Sequence, residues 1–98
     1  MSTTPLYAKT ITTTLTVQES SESDATGCQM FLRTPDGTVL VAHDNGKFHC
    51  SIWPAGTKIK DAKISHGFFT GNWIVFSMPD NHGKMHKHQF VVDQVIMQ

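Results

Sequence analysis

From Cys28 onward, turn signals recur at short intervals along this chain, each flanked by aromatic or β-branched residues, and they leave room for little besides short strands. In "CQMFLRTPDGTVLVAH" the tripeptide Pro35-Asp36-Gly37 separates two apolar runs. Proline presets such a turn, and glycine supplies the positive φ that ends it. "TVLVAHDNGKFHCSIW" repeats the device with Asp44-Asn45-Gly46, a tight-hairpin signal. "NWIVFSMPDNHGKMHKHQFVV" repeats it with a longer connection through Pro79, Asp80, Asn81 and Gly83. Three hairpin signals in succession predict an antiparallel meander.

Upstream, "YAKTITTTLTVQE" places Tyr7, Ile11, Leu15 and Val17 on one parity and Thr10, Thr12, Thr14 and Thr16 on the other. That alternation predicts a half-buried strand with a threonine face. "SSESDATG" has no apolar anchor, so residues 19–27 are expected to form an exposed loop, and residues 1–5 a flexible start. In "PAGTKIKDAKISHGFFTGN", Ile59, Ala62 and Ile64 form no helical stripe, and Pro54 and Gly56 discourage a helix; a strand is favoured over a single helical turn. The 98 residues suit one all-β domain, 1–98: a small antiparallel barrel or sandwich of six to seven short strands in a hairpin meander, with at most one short helix. The expected core is Ile11, Leu15, Val17, Met30, Leu32, Val39, Val41, Phe48, Ile52, Ile74, Phe76, Phe90 and Val92.

Eight basic residues balance eight acidic ones, so no overall field draws the chain to nucleic acid or anionic lipid. The opening "MSTTPLYAKT" holds no apolar run of signal-peptide length, and no later stretch approaches the roughly 20 apolar residues of a bilayer-spanning helix. A soluble, cytoplasmic protein without membrane contact is the expectation. In that compartment Cys28 and Cys50 are expected to be unpaired thiols, buried as small apolar side chains.

The densest polar chemistry lies in "NHGKMHKHQF". On a strand over 85–92, His86, His88, Phe90 and Val92 point one way while Met85, Lys87, Gln89 and Val91 point the other. Two histidines at alternate strand positions can chelate a metal, as in a cupin-type barrel, but that site also needs a carboxylate and a later histidine. Only Asp93 follows His88 among carboxylates, so no metal or other cofactor is the expectation, with a small metal-dependent cupin-like barrel using His86 and His88 as an alternative. His49 and Cys50 are neighbours on an expected strand and face opposite sides, which removes a local Cys-His nucleophile pair. No phosphate-cradling glycine loop or nucleophile elbow is present, and no enzymatic activity is expected.

Lys58, Lys60 and Lys63 cluster within one segment, and Lys84 and Lys87 accompany the histidines. With Trp53, Phe68, Phe69 and Trp73 nearby in sequence, this mixture offers a single-strand-binding small barrel as an alternative, weakened by the neutral charge. The meander is superficially similar to five-stranded oligonucleotide-binding barrels, without a motif specific to them. The favoured expectation is a non-enzymatic binding module with a protein partner or a second copy of itself, of the kind that serves as a phage- or mobile-element-type inhibitor or assembly component. Its expected contact residues are Lys84, His86, Lys87 and His88, at the tip and returning strand of a hairpin, with Lys58 and Lys60.

Overall fold

The computed structural model describes residues 9–23, 27–44, 53–67 and 71–96. Six strands occur there, all antiparallel: β1 (Lys9–Ser23), β2 (Gly27–Arg33), β3 (Val39–Asp44), β4 (Lys58–Gly67), β5 (Gly71–Pro79) and β6 (Met85–Ile96). They close into a barrel in the order β1-β2-β3-β6-β5-β4. Two three-stranded meanders, β1-β2-β3 and β4-β5-β6, thus meet along two seams, β1 with β4 and β3 with β6.

Two long strands make the closure. β1 gives its first half, through Thr16, to β4 and its second half, from Thr16, to β2. β6 pairs with β5 over Met85–Val92 and with β3 over Val91–Ile96. Register shifts at Val17/Glu19, Thr13/Leu15 and Val41/Ala42 bend the ladders where partners change, the usual role of bulges in a closed sheet. The β1–β4 shift adds a residue on β4, where Asp61 takes a left-handed φ of 57°. Beyond it Lys60 and Asp61 are both exposed, while Ile59 and Ala62 on either side are fully buried.

The interior is filled. Leu15, Val17, Met30, Leu32, Ile59, Ile74 and Phe90 lose all solvent contact, and each such side chain contributes roughly 1.5–3 kcal/mol by leaving water. Val39 and Val41 are also buried, and Val92 packs partly buried against the core. Leu40, Ala42, Trp53, Ile59 and Ala62 are core members absent from the expected set. Ile11 is a correction: it is 52% exposed, because this part of β1 runs beyond the filled layers. Phe48 and Ile52, with the second half of the Asp44-Asn45-Gly46 hairpin, lie outside the described residues, as do residues 1–5.

The expected loop over 19–27 is corrected at 19–23 and at Gly27, while residues 24–26 lie outside the described residues. Glu19 through Ser23 continue β1 and pair with Gly27–Phe31 of β2. A ladder needs only backbone donors and acceptors, so polar residues can extend a strand past the core. Ser20 ties this extension inward, its hydroxyl donating to the Trp53 carbonyl at 3.2 Å.

Cys28 is fully buried and disulfide-bonded, which corrects the expectation of free thiols. The sequence holds one other cysteine, Cys50, outside the described residues. Sequence spacing carries no information on whether a barrel brings two cysteines within bonding distance. No helix long and apolar enough to cross a membrane occurs among the described residues.

Candidate binding surface at the β5–β6 hairpin

The turn between β5 and β6 is built around Asp80. Its amide donates to the Lys84 carbonyl at 2.8 Å, and the Gly83 amide donates back to the Asp80 carbonyl at 3.1 Å. Gly83 takes φ +81°, the left-handed position that ends such a loop. Oδ1 of Asp80 accepts the amides of His82 at 2.8 Å and Lys84 at 2.9 Å, and Oδ2 accepts His86 Nε2 at 2.8 Å. The His86 bond, then the His82 and Lys84 amides, hold the Asp80 carboxyl below its ordinary value of 3.8.

From this turn β6 presents two faces. His86, His88 and Phe90 share the inward one, as alternation requires. His88 stands edge-on to Trp53 with ring centres 5.0 Å apart and lies 5.5 Å from Phe76, which itself stacks on Phe90 at 5.6 Å. Burial in this aromatic setting pushes the His88 imidazole below its ordinary 6.5, against the opposing pull of the Asp44 carboxylate. His86, His88, Trp53, Met78 and Asp80 border a cleft of about 340 Å³. Among the described residues, no group of three histidine, cysteine or carboxylate side chains is placed to hold a metal.

The outward face carries the lysines. Lys87 pairs with Ser77 and Lys63 with Val75, so the two lysines flank β5 on either side. Lys60 and Asp61, turned out by the β4 bulge, join them along a groove of about 600 Å³. Thr10, Ser65, Ser77 and Met85, with Val75 and Phe76 of β5, complete its lining. Met85 is 58% exposed.

The six residues expected from sequence are therefore divided. His86 and His88 meet in the inward cleft, Lys60 and Lys87 meet in the outward groove, and Lys87 borders the rim of the cleft as well. Lys84 is exposed in the turn and borders neither. Lys58 stands apart, its Nζ donating to Thr16 Oγ1 at 2.8 Å. Lys63, part of the lysine cluster read from sequence but not among the six contact residues, and Asp61, which sequence reasoning missed, join Lys87 because cross-strand register brings them together. Sequence reasoning also missed the Asp80–His86 bond, although an aspartate opening a loop two residues before another amide is a signal for an Asx turn. The comparisons return nothing: no protein-family model, no curated protein and no solved structure matches this chain.

Proposed function

We propose that this chain is a non-enzymatic binding module that acts through a protein–protein interface on the outer face of β4, β5 and β6, in the manner of an inhibitor or an assembly component. One observation carries the reading. The barrel interior is apolar and filled, whereas Lys60, Lys63 and Lys87 with three hydroxyl side chains collect in one exterior groove. The barrel then serves as a rigid support for a surface.

The single-stranded nucleic-acid alternative draws on the same lysines, but stacking needs aromatic faces open to solvent. Of the aromatics in that mixture, Trp53 is 3% exposed and Phe68 and Phe69 lie outside the described residues, which leaves Trp73, half-buried on β5, as a single described platform rather than a row of them. A disulfide at Cys28 favours an oxidising compartment over the cytoplasm.

The experiment is affinity purification from the native host with and without nuclease, alongside light scattering of the purified chain for self-association. A partner retained after nuclease and lost from a Lys63→Glu/Lys87→Glu variant is the expected result. Loss of all partners on nuclease treatment would replace this reading with the nucleic-acid one.

A further inference from the structure

We propose that the groove over β4–β6 receives an extended, acidic protein segment whose carboxylates flank an apolar anchor. The inference rests on the binding-module reading and names the chemistry of the partner. Three features select this ligand over other anions.

The first is spacing. Lys63 faces Val75 and Lys87 faces Ser77, so the two lysines stand on β4 and β6 with β5 between them and two residues apart along it, and their backbones lie roughly 12 Å apart at the usual strand separation and rise. An extended chain rises about 3.3 Å per residue with alternate side chains on one face, so carboxylates four residues apart reach both ammonium groups with modest adjustment of the long side chains, and the residue midway between them faces the same floor. The second is the floor. Val75 and Ser77 lie between the lysines, and Met85 stands exposed beside them. A methionine adapts its shape to an apolar side chain, and a purely charged polymer leaves it unused.

The third is Asp61. It sits among the lysines at the bulge, with a left-handed φ that non-glycine residues rarely adopt, aspartate and asparagine most readily. A carboxylate there repels a uniform polyanion such as nucleic acid or a sulfated glycan. A protein segment avoids the repulsion by placing a neutral or basic side chain opposite it. Asp61 thus acts as a selectivity element, and its strained backbone fixes the direction in which it and Lys60 project.

The test uses the full chain and four fluorescent probes of equal length. They are an extended peptide with two glutamates four residues apart and a leucine midway between them, the same peptide with glutamines, the same peptide with lysines, and a single-stranded oligothymidylate. The glutamate peptide is expected to bind best, to weaken as salt rises, and to lose about tenfold in affinity to Lys63→Glu/Lys87→Glu, corresponding to about 1.4 kcal/mol. The lysine peptide should bind that variant better than the parent, a gain that a misfolded protein does not produce. Asp61→Asn should raise oligothymidylate binding more than peptide binding.

Equal affinity of parent and reversed variant for the glutamate peptide would overturn the inference, as would preference for oligothymidylate in the parent. If a nuclease-resistant partner is lost from Lys63→Glu/Lys87→Glu while no acidic peptide binds the parent, this inference falls and the binding-module reading stands. If the peptides behave as expected and the host partner binds both proteins alike, the natural interface lies elsewhere and the broader reading of this groove falls.

Discussion

The two hairpin tips of the barrel, Thr34–Thr38 between β2 and β3 and Asp80–Lys84 between β5 and β6, share one backbone. In each, the first residue donates its amide to the fifth residue's carbonyl and accepts from the fourth residue's amide, at 2.9 and 3.0 Å in one tip and 2.8 and 3.1 Å in the other. Each fourth residue is a glycine at positive φ, Gly37 at 93° and Gly83 at 81°. The difference is where aspartate stands. Asp36 is third in its loop and accepts the hydroxyl of Thr34 and, at 3.1 Å, the amide of Thr38, so its bonds remain inside the turn. Asp80 is first, and one oxygen is left to reach His86 on the following strand. Moving one carboxylate by two positions converts a self-contained turn into one that orients a side chain of β6.

The largest expected effect that sharpens this contrast lies beneath the second tip. Phe76→Ala removes a ring packed on Trp53, His88 and Phe90 and should cost about 3–5 kcal/mol in urea unfolding. It should also let the His88 titration, followed by NMR, rise toward the ordinary histidine value. Leu40→Ala, in the other meander, should cost about 2–5 kcal/mol and leave His88 unchanged. A His88 that shifts equally in both variants would break the assignment of its burial to the aromatic stack.

Next in size are the glycines. Gly83→Ala meets nothing within 4 Å of its new Cβ, so the left-handed backbone alone sets the loss, about 1 kcal/mol. Gly37→Ala should lose a similar amount if the two tips are equivalent in backbone. A markedly larger loss at one of them, read from the same unfolding curves, would show that the equivalence stops at the hydrogen bonds.

Acid sensitivity is the smallest effect. Asp36, held low by the Thr34 hydroxyl and the Thr38 amide, and Asp80, held low by His86 and two amides, each contribute stability that is present above pH 3.8 and lost as pH falls through the folded value. His88 acts at higher pH: the folded state resists its protonation, so stability present above 6.5 declines as pH falls from there toward its folded value. Asp36→Asn and Asp80→Asn should each flatten the acid limb, while His88→Gln should flatten the limb just below neutrality. A His88→Gln protein with an unchanged profile between pH 7 and 5 would remove His88 from that limb.

Much of this architecture was legible in the sequence because turn chemistry and strand alternation are local. Pro35-Asp36-Gly37 and Asp80 to Gly83 mark the two tips, and the threonine face of β1 fixes its parity. What escaped was set by distant pairing. Ile59, Ala62 and Ile64 alternate poorly because a bulge at Asp61 intervenes, and that bulge follows from the β1 register. The strand character of Glu19–Ser23 depends on β2, since those residues have no hydrophobic signal of their own. The choice of barrel over sandwich turns on Thr16 and Val91–Val92, where β1 and β6 change partners. The candidate site divides in the same way. Alternation shows that His86 and His88 share a face, but only cross-strand register gathers Lys60, Lys63 and Lys87.

The division of β1 between two partners also governs how the chain must fold. Its second half can find β2 through a short connection, within the first hairpin. Its first half must wait for β4, so that Ile11 meets Ile64 only after the intervening chain has been brought back. Closing so long a loop is entropically costly before its contacts reward it, and such non-local pairing slows β proteins relative to helical ones. The β3–β6 seam imposes the same delay at the other junction, joining Val39 to Ile96. Formation of these two seams is therefore the expected slow step, and during synthesis the leading meander emerges with half of β1 still unpaired.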